Sequence, residues 1–254
     1  MSFIQLNFNS KCLGMRTNVN VIIPESDKIF TGQFNKNLKT LYLLHGLGND
    51  YSAYMRYTSI ERYALKKNLA VVMPSADHSF YTDMEYGHKY FTFISEEIPQ
   101  FIRNIFPLSD KREDNFIAGH SMGGYGSFKI ALLKPESFAA AASLSGALDI
   151  NHLFIEGPKN GFNTKSIYGD METLENTDND LFYLIKKHAE NGVILPKLYQ
   201  TCGTEDFLYD DNVRFRDLVQ KLKLPLTYKE GPGEHEWGFW DNAIKEVIDW
   251  LPID

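Results

Sequence analysis

The chain has 254 residues, of which 43% are hydrophobic, and it carries a formal net charge of −7. This length and apolar content can build one sizeable core, and they fit a single domain over residues 1–254. The acidic balance and the lack of any basic run in the sequence argue against nucleic acid as a partner, because phosphate binding needs clustered Lys and Arg.

The N-terminal sequence lacks the basic start and apolar core of a signal peptide. No apolar run in the sequence approaches the roughly 20 residues of a membrane helix, so we expect a cytoplasmic protein without a membrane partner. The two cysteines, Cys12 and Cys202, have no CxxC partner and predict neither a zinc knuckle nor a redox motif. Two buried free thiols are expected, with a disulfide as the alternative.

The predicted elements begin with two strands, Phe3–Phe8 and Met15–Pro24, in which apolar and polar residues alternate. We expect them to form an antiparallel pair joined around Gly14. The polar segment 25–37 follows as a loop.

After this loop the pattern changes to short continuous apolar runs, which are typical of strands buried on both faces. These runs are Thr40–Gly46, Leu69–Asp77, Asn115–Ser121, Phe138–Gly146, Lys197–Gly203 and, more weakly, Leu226–Gly233. Strands that alternate with helices predict an α/β fold with a mostly parallel central sheet flanked by helices.

Helical patterns lie between the apolar runs. They cover Ser59–Asn68, His88–Phe106, Met122–Leu133, Leu181–Glu190, Asn212–Leu222 and Glu236–Leu251. Pro99 predicts a kink or break in the longest of them, and Asp178 is the predicted cap of the Leu181–Glu190 helix. The stretch 148–177 is long, polar and irregular, and we interpret it as a small cap or lid inserted in the domain.

One serine, Ser121, lies where a buried strand gives way to a helix, within the sequence GHSMG of residues 119–123. This is the G-x-S-x-G pattern of a nucleophile elbow, which holds a serine in a strained turn above the sheet. Gly119 and Gly123 are expected where a Cβ would collide with a neighbouring strand or helix. Gly124 and Gly126 are expected to let the helix pack closely on the sheet. The alternative is a glycine-rich turn with an incidental serine.

A serine nucleophile needs a base, and in hydrolases with this elbow the base is a histidine late in the chain. Three histidines follow Ser121: His152, His188 and His235. His188 lies in a helical pattern beside two lysines, and His152 lies in the irregular segment. His235 follows the last strand in a glycine-containing loop, immediately before the final helix, and is the predicted base.

The acid that orients the histidine should follow a late strand. Asp206 is our assignment, because it lies in the turn after the strand Lys197–Gly203. Glu205 is its nearest rival, and Asp149, after the preceding strand, is a second. Asp210 and Asp211 are assigned as caps of the helix that follows.

Stabilisation of a tetrahedral oxyanion needs two backbone N–H groups. The sequence HGLG of residues 45–48 ends the first core strand and matches an HG-type oxyanion loop. The predicted donors are the backbone N–H groups of Leu47 and Met122, and a plain tight turn is the alternative for the loop. His45 and His120 are then expected to have structural roles.

The segments LYLLHGLGND, FIAGHSMGGYGSFKIAL, GTEDFLYDDN and GEHEWGFW, in this order, resemble the esterase D family. That family includes S-formylglutathione hydrolases, bacterial tributyrin-type esterases and feruloyl or acetyl esterases, and the resemblance covers nearly the whole chain. It implies an α/β-hydrolase fold and a serine carboxylesterase acting on short acyl chains. Many formylglutathione hydrolases of the family carry a cysteine soon after the HG loop; Gly48, Asn49 and Asp50 stand here instead, which disfavours that substrate.

The resemblance implies a small-molecule ester as the partner, and neither a cofactor nor a metal. The acidic segment YGDMETLENTDND lacks EF-hand spacing, so we interpret it as a solvated loop. Trp237 is a candidate for substrate binding; Phe80, Tyr81, Tyr86 and Phe91 are further candidates for a pocket wall. A thioesterase, a peptidase, an acyltransferase and an inactive binding protein on the same scaffold are the alternatives. The sequence is also compatible with a homo-oligomer.

Overall fold

The structure, a computed structural model, describes residues 1–25, 31–32, 37–156, 163–170 and 172–253. Its described strands form one eight-stranded sheet in the order β1-β2-β4-β3-β5-β6-β7-β8. They are β1 (Ser2–Ser10), β2 (Met15–Ile23), β3 (Thr40–Leu44), β4 (Ala70–Pro74), β5 (Asn115–His120), β6 (Ala140–Leu144), β7 (Lys197–Gly203) and β8 (Leu226–Gly231). β2 pairs antiparallel with β1 and β4, and all other pairs are parallel. The predicted fold is confirmed.

Helices cover both faces of this sheet. They are α1 (Ala53–Tyr57), α2 (Ile60–Lys66), α3 (Tyr90–Thr92), α4 (Ile98–Ile105), α5 (Met122–Leu133), α6 (Ile150–Glu156), α7 (Thr164–Tyr168), α8 (Leu181–Asn191), α9 (Tyr209–Lys221) and α10 (Trp237–Trp250). Two apolar clusters result, one on each side of the sheet. In the described part of the chain, no helix is long and apolar enough to cross a membrane.

The first two strands form the predicted hairpin, with Gly14 in the left-handed region at φ +62°. Exposure along β1 alternates residue by residue, whereas every residue of β3 and β4 is buried. These two burial patterns explain why β1 has an alternating sequence and the central strands have continuous apolar runs. Cys12, at the hairpin turn, is half-buried and Cys202 is buried; both are free thiols.

The longest helical pattern is interrupted, but not by a break at Pro99. A π-helical stretch, Phe93–Glu97, joins α3 to α4, and Pro99 lies in the first turn of α4. Proline has no N–H and cannot donate to the carbonyl four residues earlier. The wider π turn lies directly before it, where the regular helical bonding pattern changes. The π turn also places Glu97 beside the hairpin, where its carboxylate accepts from the hydroxyl of Ser10 and the N–H of Lys11, each at 2.6 Å.

The predicted caps of two helices are wrong. Asp180, not Asp178, caps α8, since its carboxylate accepts from the N–H groups of Phe182 and Tyr183. Asp210 and Asp211 lie inside the first turn of α9, because that helix already begins at Tyr209. The earlier start follows from Asp206, whose Oδ1 accepts from the N–H of Leu208 and turns the chain into the helix.

The stretch 148–177 contains α6 and α7, and its residues 157–162 and 171 lie outside the described residues. Leu148, Ile150, Ile167 and Leu174 are buried in the larger apolar cluster, so the described parts of this stretch pack on the core. Its role as a cap stays a prediction. Of the predicted loop 25–37, residues 26–30 and 33–36 lie outside the described residues.

Candidate active site

Ser121 occupies the turn between β5 and α5 with φ +54° and ψ −120°. A positive φ is costly for a residue with a side chain and persists only where the surroundings enforce it. Here the main chain of Ser121 is held on both sides: its N–H donates to the carbonyl of Leu144 at 2.9 Å, and its carbonyl accepts from Ala147 at 3.1 Å. The turn therefore projects the Ser121 hydroxyl from the carboxyl edge of the sheet, where ligands bind in parallel α/β sheets.

Three of the nearby glycines are needed for close backbone approach at the sheet. A Cβ on Gly119 would overlap the carbonyl of Gly123, and a Cβ on Gly123 would overlap that of Leu44. At Gly124 a Cβ would lie 2.8 Å from Cα of Gly146. The fourth differs from the prediction, because Gly126 faces the ring of Tyr81 and not the sheet.

The structure brings Ser121, His235 and Asp206 into one chain of hydrogen bonds. Nε2 of His235 lies 2.9 Å from Oγ of Ser121, and Nδ1 lies 2.8 Å from Oδ2 of Asp206. The Asp206 side chain is 0% exposed and that of His235 is 17% exposed. An ionised carboxylate can only accept, so Nδ1 carries the hydrogen and Nε2 accepts from the serine hydroxyl. This arrangement can move a proton from Ser121 to His235.

The loops that carry Asp206 and His235 are tied to each other by Glu205. Its Oε2 accepts from the N–H of Gly233 at 2.6 Å, and its own N–H donates to the carbonyl of Gly233 at 3.2 Å. The bond from Gly233 lowers the pKa of the Glu205 carboxyl. The nearest rival of Asp206 thus contacts the backbone of the loop that carries His235, whereas Asp206 itself bonds to the imidazole.

The other rivals have partners elsewhere. Nε2 of His188 bonds to the carbonyl of Leu132 at 2.7 Å. His152 lies 3.0 Å from Asp211, and the guanidinium of Arg214 donates to both Asp211 and Asp149. Asp149 and His152 are therefore part of an ion-pair network that joins α6 to α9.

Aromatic rings enclose the imidazole of His235. The ring centre of Phe207 lies 4.6 Å from that of His235, and this side chain is 74% exposed. Phe207 is not among the residues identified from the sequence. Trp240 packs edge-on against the same imidazole at 4.8 Å. Trp237 contacts the ring of His120 at 4.6 Å; its role in substrate binding stays a prediction. Of the candidate pocket residues, Phe80 and Tyr81 are buried in the core.

His45 fixes the direction of the Leu47 N–H. Nε2 of His45 accepts from the N–H of Ala76 at 2.8 Å, so Nδ1 carries the hydrogen and donates to the carbonyl of Gly46 at 2.8 Å. The peptide between Gly46 and Leu47 is planar, and holding its carbonyl therefore orients its N–H as well. Burial lowers the pKa of His45, which keeps the imidazole neutral.

The same loop is attached to its surroundings at two further points. The N–H of Gly46 donates to Nε2 of His120 at 3.1 Å, and the hydroxyl of Tyr81 donates to the carbonyl of His45 at 2.8 Å. Met122 is the first residue of α5, so its N–H has no acceptor within the helix. Both predicted oxyanion donors thus lie on rigidly held backbone beside Ser121.

The described part of the chain contains no group of three His, Cys, Asp or Glu side chains that could hold a metal ion. The groups that the structure brings together at this site are a hydroxyl, an imidazole, a buried carboxylate and backbone N–H donors. Such a set suits nucleophilic attack on an acyl carbon.

Comparison with known proteins supports that chemistry. Residues 10–251 match the model of the Esterase family. An acetyl esterase of Caldicellulosiruptor saccharolyticus is 37% identical to this chain, over 99% of this chain and 98% of that protein.

Two solved structures from Staphylococcus aureus are each 45% identical to this chain. One is the substrate-bound fluorophosphonate-binding serine hydrolase F, with a TM-score of 0.95 over 100% of this chain and 99% of that one. The other is an S-formylglutathione hydrolase without ligand, with a TM-score of 0.90 over 98% of each chain.

Proposed function

Because the chain belongs to the Esterase family of α/β-hydrolases, and so is a serine carboxylic ester hydrolase, we propose that it cleaves short-chain acyl esters through an acyl-enzyme on Ser121. In this proposal Ser121 is the nucleophile, His235 the general base and Asp206 the residue that orients it. Residues 1–254 form one domain, and 148–177 is its cap.

In the first half-reaction, Oγ of Ser121 attacks the ester carbonyl while Nε2 of His235 takes the hydroxyl proton. Asp206 holds Nδ1–H and stabilises the imidazolium that forms. The N–H groups of Leu47 and Met122 donate to the developing oxyanion, a contribution worth about 10²–10³ in rate for each donor. The alcohol then leaves with the proton from His235.

In the second half-reaction, water attacks the acyl-enzyme. His235 takes a proton from this water and returns one to Oγ of Ser121, which releases the carboxylic acid. The same two N–H groups stabilise the second oxyanion. Water is the acceptor in this proposal, and an alcohol in its place would make the reaction an acyl transfer.

The observation that carries the proposal is the unbroken bonding from Oγ of Ser121 through the imidazole of His235 to the buried Asp206. Turnover of p-nitrophenyl butyrate by Ser121→Ala tests it, with an expected loss on the order of 10⁶-fold. Labelling of Ser121 by a fluorophosphonate should disappear in the same variant. Wild-type turnover by Ser121→Ala would refute the proposal.

Variants of the two adjacent acids, Asp206 and Glu205, distinguish orientation of the His235 imidazole from support of the loop that carries it. Asp206→Asn should reduce kcat by about 10⁴-fold, because the amide favours the wrong tautomer of His235. Glu205→Gln keeps an acceptor for the N–H of Gly233 and is the matched control, with a much smaller expected loss. Equal losses in the two variants would contradict the assignment of Asp206.

The substrate class remains to be assigned between oxygen esters and thioesters. The acetyl esterase relative favours acetylated alcohols or sugars, and feruloylated sugars are the related possibility. The S-formylglutathione hydrolase of S. aureus favours a thioester as second candidate. The ratio of kcat/KM between matched acetyl, butyryl and feruloyl esters and S-formylglutathione decides between these classes.

A further inference from the structure

A pocket of about 200 Å³ opens immediately beyond the oxyanion loop. It begins at Gly48, the residue after the proposed donor Leu47, and continues along α1. Its remaining lining residues are Asn49, Asp50, Ser52, Ala53, Arg56 and Tyr57. The pocket therefore adjoins the residue whose N–H is the proposed oxyanion donor.

The pocket contains one acidic and one basic side chain, and they differ in how they are paired. Oδ1 of Asp50 already accepts from the N–H and the hydroxyl of Ser52, at 2.8 and 2.6 Å. Arg56 forms no ion pair with any residue in the described ranges; its guanidinium lies 5.7 Å from the centre of the Tyr57 ring. The pocket thus offers an exposed guanidinium to a ligand. This local positive charge contrasts with the net charge of −7 of the whole chain.

A stacked aromatic pair connects this pocket to the nucleophile. The rings of Tyr57 and Trp237 lie 4.9 Å apart at an angle of 26°. Trp237 in turn contacts the ring of His120, the residue before Ser121. Tyr57 is 50% exposed, so its ring is open to a ligand that enters from solvent. Ring contacts therefore run from Tyr57 in the pocket to His120, which is buried directly before Ser121.

We propose that this pocket binds the leaving group of the substrate and that Arg56 binds a carboxylate carried by that group. A guanidinium recognises a carboxylate through paired, charge-assisted hydrogen bonds, which a neutral sugar or alkyl alcohol cannot supply. The proposal rests on the proposed function and narrows it to esters or thioesters whose alcohol or thiol portion is anionic.

Two acetyl esters that differ in one group test this directly. The probes are 4-acetoxybenzoate and 4-acetoxybenzamide, each normalised to its spontaneous rate of hydrolysis. The wild-type protein is expected to favour the carboxylate by about tenfold in kcat/KM, from one charge-assisted contact. In Arg56→Gln this ratio should fall to near one, and 0.5 M salt should reduce it in the wild-type protein.

Arg62 provides a matched control. Its guanidinium lies over the ring of Tyr63 at 5.6 Å, as that of Arg56 lies over Tyr57, but it lines a different pocket. Arg62→Gln should keep the wild-type ratio between the two esters. No carboxylate preference in the wild-type protein, or an equal loss of it in both variants, would overturn the proposal. Retention of activity by Ser121→Ala would instead refute the proposed function, whatever the ratio.

Discussion

The N–H of Gly46 donates to Nε2 of His120 at 3.1 Å, which joins the oxyanion loop to the residue immediately before the proposed nucleophile. Because Nε2 accepts, Nδ1 of the neutral ring carries the hydrogen and donates to the hydroxyl of Tyr54 at 3.0 Å. Burial lowers the pKa of His120 well below its usual value. A protonated ring has no acceptor, so only the neutral form can hold Gly46.

Removing this acceptor should lower kcat more than it raises KM. In His120→Leu the Gly46 N–H loses its partner and the oxyanion loop loses one of its attachments, and we expect kcat to fall by about 10–100-fold, less than the cost of losing an oxyanion donor outright. His120→Gln offers a side-chain oxygen as acceptor and should recover much of the rate. Steady-state kinetics with p-nitrophenyl acetate measure both parameters. Equal losses in the two variants, with equal melting temperatures, would show that the acceptor is irrelevant.

The lowered pKa of His120 also predicts acid sensitivity. Between the folded-state pKa and the unfolded value of about 6.5, the unfolded chain binds a proton that the folded chain does not. His120 therefore leaves the free energy of unfolding unchanged above about pH 6.5 and lowers it progressively as the pH falls below that value. The free energy of unfolding of the wild-type protein should decrease more than that of His120→Gln between pH 7 and 5, by up to about 1.4 kcal/mol per pH unit. Parallel urea-unfolding curves for the two proteins would contradict this prediction.

Phe207 should matter to turnover more than to stability. Its side chain is 74% exposed, yet its ring lies against the imidazole of His235. Phe207→Ala removes this cover, and we expect kcat/KM for p-nitrophenyl butyrate to fall about fivefold, the size of one aromatic contact. Ile194→Ala, at an 83% exposed position away from the proposed site residues in sequence, is the control and should change neither rate nor melting temperature. A larger loss of stability than of rate in Phe207→Ala would assign this ring a structural role.

Much of the fold follows from local sequence signals. The alternation in β1, the apolar runs of the central strands and the start of α5 after Ser121 are all visible along the chain, because each depends on residues close in sequence. The positions of His235 and Asp206 beside Ser121 agree with the prediction from chain order, and their catalytic roles stay proposals.

What sequence reasoning missed depends on contacts between distant segments. Tyr81 was a candidate pocket residue, but tertiary packing places its ring on Gly126 and its hydroxyl on the carbonyl of His45. The π turn before Pro99 lies beside the hairpin that Glu97 contacts, about 85 residues earlier in the chain. Asp178 and Asp180 are equally good caps in sequence, and only the path of the chain into α8 selects Asp180.

Lys129 is a buried cation on α5 that the proposed mechanism does not use. Its Nζ donates to Oγ1 of Thr82 at 2.7 Å and to Oδ1 of Asn179 at 2.6 Å, and both acceptors are neutral. Burial lowers the pKa of Lys129 to about 7, although the charges of Asp83 and Asp178 act in the opposite direction. The ammonium therefore loses its proton in the folded protein far more easily than in the unfolded chain.

This difference predicts that Lys129 makes the protein more stable as the pH rises. Between pH 7 and about 10.5 the unfolded chain keeps a proton that the folded chain has lost, so the free energy of unfolding should increase by about 1.4 kcal/mol per pH unit. Lys129→Met removes this gain, and its stability relative to the wild-type protein should be highest at pH 7 and should decline towards pH 9. Urea unfolding at pH 7, 8 and 9 measures the trend, with Lys221→Met as the exposed control that should follow the wild-type slope. If Lys129→Met also follows the wild-type slope, the ammonium remains charged in the folded protein and this prediction is wrong.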